Sequence, residues 1–275
     1  MIGFFDSGLG GLSVWRAWVS LCPNVPTVYV ADQAHCPYGE RSVDFIVTRA
    51  EKLTQFLAQQ GVETIVIACN TATSAAGAVL RSAHPNLNIV GMEPALKPAM
   101  LATKTRHIGV LATAATLAGT KFQHLLERLD PSVSVTTLAG EGWVACVENG
   151  DIGNPAAQAV VARVLANLSA TDIDQWVLGC THYPFLANEI QKNLSAQMTC
   201  PVTLIDPAPA VCRQAAVLAG WPQAHPVNKA TSPVMRPTLH QFYTTASSTQ
   251  PLQNFVEKIT DIEPAECTFF SVKIN

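Results

Sequence analysis

Val66-Ile67-Ala68-Cys69-Asn70-Thr71-Ala72-Thr73 and its echo, Trp176-Val177-Leu178-Gly179-Cys180-Thr181-His182-Tyr183, decide how this chain is read. Each is a short apolar run that stops at a cysteine, passes through small polar residues and enters a helix-compatible segment. A buried parallel strand has this pattern when its carboxyl end opens into a binding crevice. Two thiols are therefore expected at equivalent places. Upstream, Ile2-Gly3-Phe4-Phe5-Asp6-Ser7 parallels Ile108-Gly109-Val110-Leu111-Ala112-Thr113 at an offset of 106 residues, and Cys69 parallels Cys180 at an offset of 111. Offsets that close suggest two copies of one α/β unit. If such halves pack about a pseudo-twofold axis, the carboxyl ends of both central strands meet at one cleft, and the cysteines flank one ligand from opposite sides.

The bulk properties agree with an α/β reading. A chain of 275 residues with 48% hydrophobic and 13% charged residues has ample material for a core, which excludes disorder. A net charge of −3 without a Lys/Arg cluster argues against nucleic acid or a membrane as partner and favours a small molecule. Apolar runs are strand-sized or interrupted, and the amino terminus enters a strand at once without a signal-like core, so a cytoplasmic location is expected. The eight cysteines are scattered without a C-x-x-C pair, in a chain too large to need disulfide staples, and most read as buried apolar residues.

In chain order, Ile2 to Phe5 runs into Asp6-Ser7-Gly8-Leu9-Gly10-Gly11 and a helix over Leu12 to Leu21. The spacing is not that of a dinucleotide fingerprint. Asp6 is a candidate acid/base or ammonium ligand, although an isolated Asp-Ser-Gly is more often a turn former. Thr27 to Ala31 is a strand opening into Asp32 to Glu40, whose Pro37-Tyr38-Gly39 can present backbone or phenol donors. A helix follows over Ser42 to Gln60, then the strand delivering Cys69. His107 to Leu111 restarts the pattern, with Thr113 and Thr116 at the ligand end and one helix over Leu117 to Leu129. Gly140 to Gly150, which contains Glu148, reads as a connection. Residues 222–238 look like a loose linker, and the strand-like Leu239–Thr244 and Phe269–Ile274 that follow are not placed by pattern. Strand and helix alternate throughout, so the fold class is α/β: two pseudo-symmetric domains, each a mostly parallel sheet flanked by helices, with the active site in the cleft between them. The expected division is 1–97 with 206–275 as a discontinuous first domain and 98–205 as the second. Hinges are expected at the crossings around 92–106 and 205–207.

Two strand-end thiols at matched places point to chemistry. A metal site would want further ligands beyond the Cys180-x-His182 pair, and none is spaced to provide them. A Cys–His nucleophile would leave Cys69 idle. Inversion of a carbon stereocentre uses both, because one group must remove a proton from one face and another return it on the opposite face. A thiolate can serve as base near neutral pH when its environment is tuned, the unperturbed value being about 8.5. Asp6 is a candidate relay for Cys69. His182, held by a carboxylate such as Glu148, is one for Cys180.

Taken together, Phe5 to Gly11, Pro37-Tyr38-Gly39, Cys69-Asn70-Thr71-Ala72, Ile108 to Thr113 and Gly179-Cys180-Thr181-His182-Tyr183-Pro184 resemble the motif series of bacterial glutamate racemases, in order and spacing, from residue 2 to about 215. Phe242-Tyr243-Thr244-Thr245 and Phe255 resemble the family's terminal segment more weakly. The resemblance implies a cofactor-independent racemase with catalytic Cys69 and Cys180, acid/base support from Asp6 and His182, and a supporting carboxylate at Glu148. It implies substrate contacts at Asp6, Ser7, Pro37, Tyr38, Gly39, Cys69, Asn70, Thr71, Thr113, Thr116, Cys180, Thr181 and His182, with no metal. It also implies D-glutamate supply for peptidoglycan. Trp143 to Val147 departs from the family pattern around Glu148, and Ala246 stands where glycine usually follows Thr245. An aspartate racemase would share fold and thiols, but Thr181-His182 after Cys180 favours glutamate. A small-anion binding module is the reading from another class, and the intact thiols argue against it. Some relatives that are switched on by a cell-wall precursor carry additional amino-terminal residues, and no such dependence is expected here. Oligomeric state, a homodimer included, is left open.

Overall fold

The computed structural model describes residues 1–166, 168–221 and 239–274, so the 222–238 stretch expected to be a linker lies outside the described residues. In chain order the elements are β1 (Ile2–Asp6), α1 (Leu12–Leu21), β2 (Thr27–Ala31), α2 (Val43–Gln59), β3 (Thr64–Ile67), α3 (Asn70–Ala83) and β4 (Asn88–Gly91). There follow α4 (Leu96–Ala102), β5 (His107–Ala112), α5 (Ala114–Ala118), α6 (Thr120–Leu126), β6 (Ser134–Ala139), α7 (Trp143–Glu148), α8 (Pro155–Leu165), β7 (Gln175–Leu178), α9 (Ala187–Gln197) and β8 (Thr203–Ile205). The chain closes with α10 (Ala208–Leu218), β9 (His240–Thr244), α11 (Gln250–Ile259) and β10 (Cys267–Ser271).

The elements group into two compact units, Met1–Met92 with Ala208–Asn275, and Glu93–Pro207, so that all of α4 belongs to the second. The first unit holds a six-stranded sheet in the order β10-β9-β2-β1-β3-β4, and the second a four-stranded sheet in the order β6-β5-β7-β8. The strand pairs in both are parallel. The strands β2-β1-β3-β4 and β6-β5-β7-β8 share one topology, so β1 corresponds to β5 and β3 to β7. The repeat is therefore a repeat of fold, although residue identity between the halves is low. The tail that pattern left unplaced extends the first sheet by two strands, β9 adding to β2 and β10 to β9.

Each unit has its own core. Continuous apolar strands such as Ile65-Val66-Ile67 are wholly buried because helices cover both faces of a parallel sheet. In the first unit, Ile46, Ala50, Leu53 and Leu57 of α2 pack with Val28, Val30, Ile65 and Ile67, and in the second Ile108, Val110 and Val177 pack with Leu96, Ala99 and Phe122. Ser42 caps α2, its hydroxyl accepting from Phe45 N at 3.3 Å, and Gly61 ends it with φ +77°. The single helix expected over Leu117 to Leu129 is instead two, α5 and α6, broken at Gly119, whose extended backbone ends the first and leads into the second, while the Thr113 hydroxyl caps the start of α5. Likewise the connection expected over Gly140 to Gly150 contains α7.

Candidate active site

The functional side chains sit where parallel strands end, the place at which helix N-termini and strand-to-helix turns present unpaired backbone groups. In the first unit, β1 ends at Asp6 and the neighbouring β3 leads through Ala68, whose N–H donates to Phe5 O at 2.8 Å, into Cys69. Asp6 is fully buried; Oδ1 accepts from Ser7 N at 2.8 Å and Oδ2 from Gly11 N at 2.9 Å. Gly11 allows this approach, since a Cβ there would stand 2.6 Å from that of Asp6. The carboxylate thus holds its own turn and fixes Ser7, which is also buried.

Cys69 is the residue preceding α3, and its sulfur accepts from Ala72 N at 3.4 Å, as an N-cap does. The backbone N–H charge at the start of this helix bears on the sulfur, an arrangement that favours negative charge there. Asn70 follows, buried at 5% exposure, and both polar atoms of its amide meet no partner among the described residues. Burying an amide without partners costs free energy, which makes Asn70 a candidate for a ligand contact. Thr71 is half-buried beside it.

Tyr38 belongs to the same apolar cluster as Cys69, flanked by half-buried Pro37 and Gly39. Its phenol was expected as a donor toward a ligand. It donates instead to Asp32 Oδ2 at 2.5 Å, so the loop's remaining donors are backbone N–H groups. Burial and the charges of Asp32 and Cys69 push the Tyr38 hydroxyl far above the ordinary tyrosine value, so it stays protonated. Asp32 is also held by both prongs of the Arg49 guanidinium, Nε at 3.0 Å and Nη2 at 2.9 Å. Burial alone would raise the Asp32 carboxyl, but the bonds from Arg49, Tyr38 and His35 outweigh it and hold the group below its ordinary value. Sequence reasoning missed Asp32 and Arg49 as site residues. The available signal was an arginine on the apolar stripe Ile46, Ala50, Leu53 of α2, which demands a buried anionic partner.

In the second unit the equivalent strand ends carry the equivalent residues. Gly179 N donates to Leu111 O at 2.7 Å, aligning the end of β7 with that of β5. Thr113 and Thr116 are joined through their hydroxyls at 2.9 Å, with Thr116 N donating to Thr113 Oγ1 at 3.2 Å. Cys180 and Thr181 are buried, and Cys180 Sγ lies 3.6 Å from His182 Nδ1. The other ring nitrogen, Nε2, lies 2.6 Å from Glu148 Oε1, which the last residue of α7 delivers. Burial of His182, at 3% exposure, opposes its charge. The hydrogen bonds to Cys180 and Glu148, and the charges of both, outweigh that and raise its pKa well above the ordinary value. Sulfur, imidazole and carboxylate therefore form one line of contacts.

Among the described residues no group of three or more His, Cys, Asp or Glu side chains is arranged to hold a metal ion, and no helix is long and apolar enough to cross a membrane.

Comparison with known proteins identifies the family. The sequence pattern of the Asp/Glu/Hydantoin racemase family matches residues 9–215. A glutamate racemase of Ectopseudomonas mendocina (strain ymp) is 46% identical over 219 residues, covering 80% of this chain and 82% of that one. The crystal structure of a glutamate racemase isoform of Bacillus anthracis superimposes with a TM-score of 0.82 at 29% identity, covering 99% of this chain and 97% of the other. That of Escherichia coli glutamate racemase, solved with L-glutamate and the activator UDP-MurNAc-ala, gives 0.80 at 27% identity over 98% and 97%. This chain belongs to the Asp/Glu/Hydantoin racemase family, where its relatives are glutamate racemases, and it is an amino-acid racemase.

Proposed function

We propose that this racemase interconverts L- and D-glutamate without a cofactor, Cys69 and Cys180 acting as the two acid/base groups. The observation that carries the reading is the matched placement of the thiols, each at the end of the same strand in two copies of one topology. Inversion needs groups on opposite faces of the α-carbon, so one substrate must be reached by both. One cysteine, as thiolate, takes the α-proton; the Cα–H electron pair passes into the carbanion, delocalised over the α-carboxylate. The other, as thiol, gives its proton to the opposite face and becomes the thiolate. Reaction of the opposite enantiomer restores the starting protonation, as does exchange with solvent.

His182 keeps a positive charge beside Cys180, with Glu148 holding the ring, while the start of α3 supports charge on Cys69. Asp6 fixes the turn beside Cys69. Substrate carboxylates are held by backbone N–H groups of the 37–39 loop and by Ser7, Thr71, Thr113, Thr116 and Thr181, as in an anion nest. Asn70, whose amide lacks a partner, supplies the remaining polar contact. The cellular role is cytoplasmic supply of D-glutamate for peptidoglycan. In support, the relatives are glutamate racemases, and the Escherichia coli enzyme binds L-glutamate.

The test is proton NMR of L-glutamate and, separately, L-aspartate in D2O with the purified chain. Loss of the α-proton signal from glutamate alone is expected. Exchange from aspartate alone, or from neither, overturns the reading.

A further inference from the structure

The Asp32 carboxylate, fully buried, gathers contacts from four side chains of the first unit. Besides Tyr38 and the Arg49 fork, His35 Nδ1 lies 2.9 Å from Oδ1, and the Thr245 hydroxyl just past β9 donates to Oδ1 at 2.9 Å. The third guanidinium nitrogen of Arg49, Nη1, donates to the backbone carbonyl of Ile274 at 2.6 Å, in the segment that follows β10. One side chain thus links α2, the end of β2 and the last described stretch of chain. A cavity of about 400 Å³ opens beside it, lined among others by His35, Arg49, Lys52 and Lys273, so Ile274, whose side chain packs against the core, also borders open space.

We propose that Arg49 is a positioning residue for the Pro37–Gly39 loop, and that through the Ile274 carbonyl it makes substrate affinity depend on the segment after β10. This inference rests on the reading of that loop as a glutamate contact. A planar fork that satisfies both carboxylate oxygens fixes Asp32 in two directions at once, and Asp32 fixes the phenol of Tyr38. The loop backbone then has one orientation. Without the fork, Asp32 keeps only single-point contacts, and the loop donors lose their common aim. Substrate binding suffers before proton transfer does, because neither Arg49 nor Asp32 touches the reacting carbon.

The experiment is steady-state racemisation of glutamate by the full chain, with thermal melts of each variant. Arg49→Lys keeps a cation beside Asp32 but cannot bridge both carboxylate oxygens and the Ile274 carbonyl together. The expected result is a KM raised about fivefold with kcat within about twofold of the unaltered chain. Tyr38→Phe should behave likewise, and the double variant should be no worse than the more affected single one, since both break one line of contacts. A chain shortened after Val272 loses the Ile274 acceptor together with Lys273 and the half-buried Ile274 side chain; a KM raised about twofold is expected, read beside a melting temperature lowered by the lost packing, which keeps the proposal testable if Arg49→Lys folds poorly. An unmoved KM in both the lysine variant and the shortened chain, a loss confined to kcat, or multiplicative effects of Arg49→Lys and Tyr38→Phe would overturn it. Absence of turnover by the unaltered chain overturns the glutamate reading, and this inference with it.

Discussion

Glu148 Oε1 stands 2.6 Å from Nε2 of His182, so a carboxylate from the end of α7 holds the imidazole whose other nitrogen faces the Cys180 sulfur. Removing the negative charge while keeping the shape, as in Glu148→Gln, withdraws one of the influences that raise the His182 pKa. The protonated imidazole then survives over a narrower pH range. The alkaline limb of the kcat profile is expected to move to lower pH by about one unit, with kcat at its optimum lowered about tenfold. A limb that stays in place would show that His182 is not the titrating group.

On the proposed mechanism each thiol serves one face of the α-carbon, so disabling one should separate exchange from inversion. With Cys69→Ser, one enantiomer of glutamate is expected to lose its α-proton to D2O without inversion, and with Cys180→Ser the opposite enantiomer. Racemisation itself should fall by about a thousandfold or more in both. Following proton signal and optical rotation in the same sample separates the events. Both enantiomers exchanging equally in one variant would contradict a one-thiol-per-face arrangement.

The unpartnered Asn70 amide sets ligand binding against stability. Asn70→Ala removes a buried polar group that meets no partner among the described residues, so stability is expected to stay level or rise by about 1 kcal/mol. The KM for glutamate should rise about tenfold. Chemical denaturation without substrate, paired with kinetics, checks both; destabilisation with an unchanged KM would mean the amide serves the fold.

His240 gives the stability a pH dependence distant in kind from catalysis. It is 1% exposed on β9, its Nδ1 2.9 Å from the Thr27 hydroxyl, which also accepts from Trp15 Nε1. Burial disfavours a charged ring, so His240 is neutral in the fold near pH 7. Burial pushes its pKa down to about 4. Since the folded value lies below the unfolded one, protons bind preferentially to the unfolded chain as pH falls below about 6.5, and stability declines until the folded group titrates near 4. Between pH 7.5 and 5 the loss from this group is expected to be about 2 kcal/mol. Urea titrations of the chain and of His240→Asn at both values check it, the variant losing correspondingly less.

The sequence by itself determined what depends on local pattern. Continuous apolar runs ending in Cys69 and Cys180 announced buried parallel strands, and the close offsets announced a repeat, because strand period and strand-end chemistry are written in neighbouring residues. Contacts between distant segments were not legible. That α7 would form inside an expected connection and carry Glu148 to His182 depends on its packing, with Trp143 and Val147 buried. That Tyr38 would turn its phenol onto Asp32 depends on Arg49, eleven residues on and one helix away. The tail strands β9 and β10 are half-buried along parts of their length, so the alternation was too weak to place them, and only the pairing of β9 with β2 and of β10 with β9 decided it. Tertiary structure decided these points because a buried charge or amide takes its partner from whatever the fold brings within about 3 Å, regardless of separation along the chain.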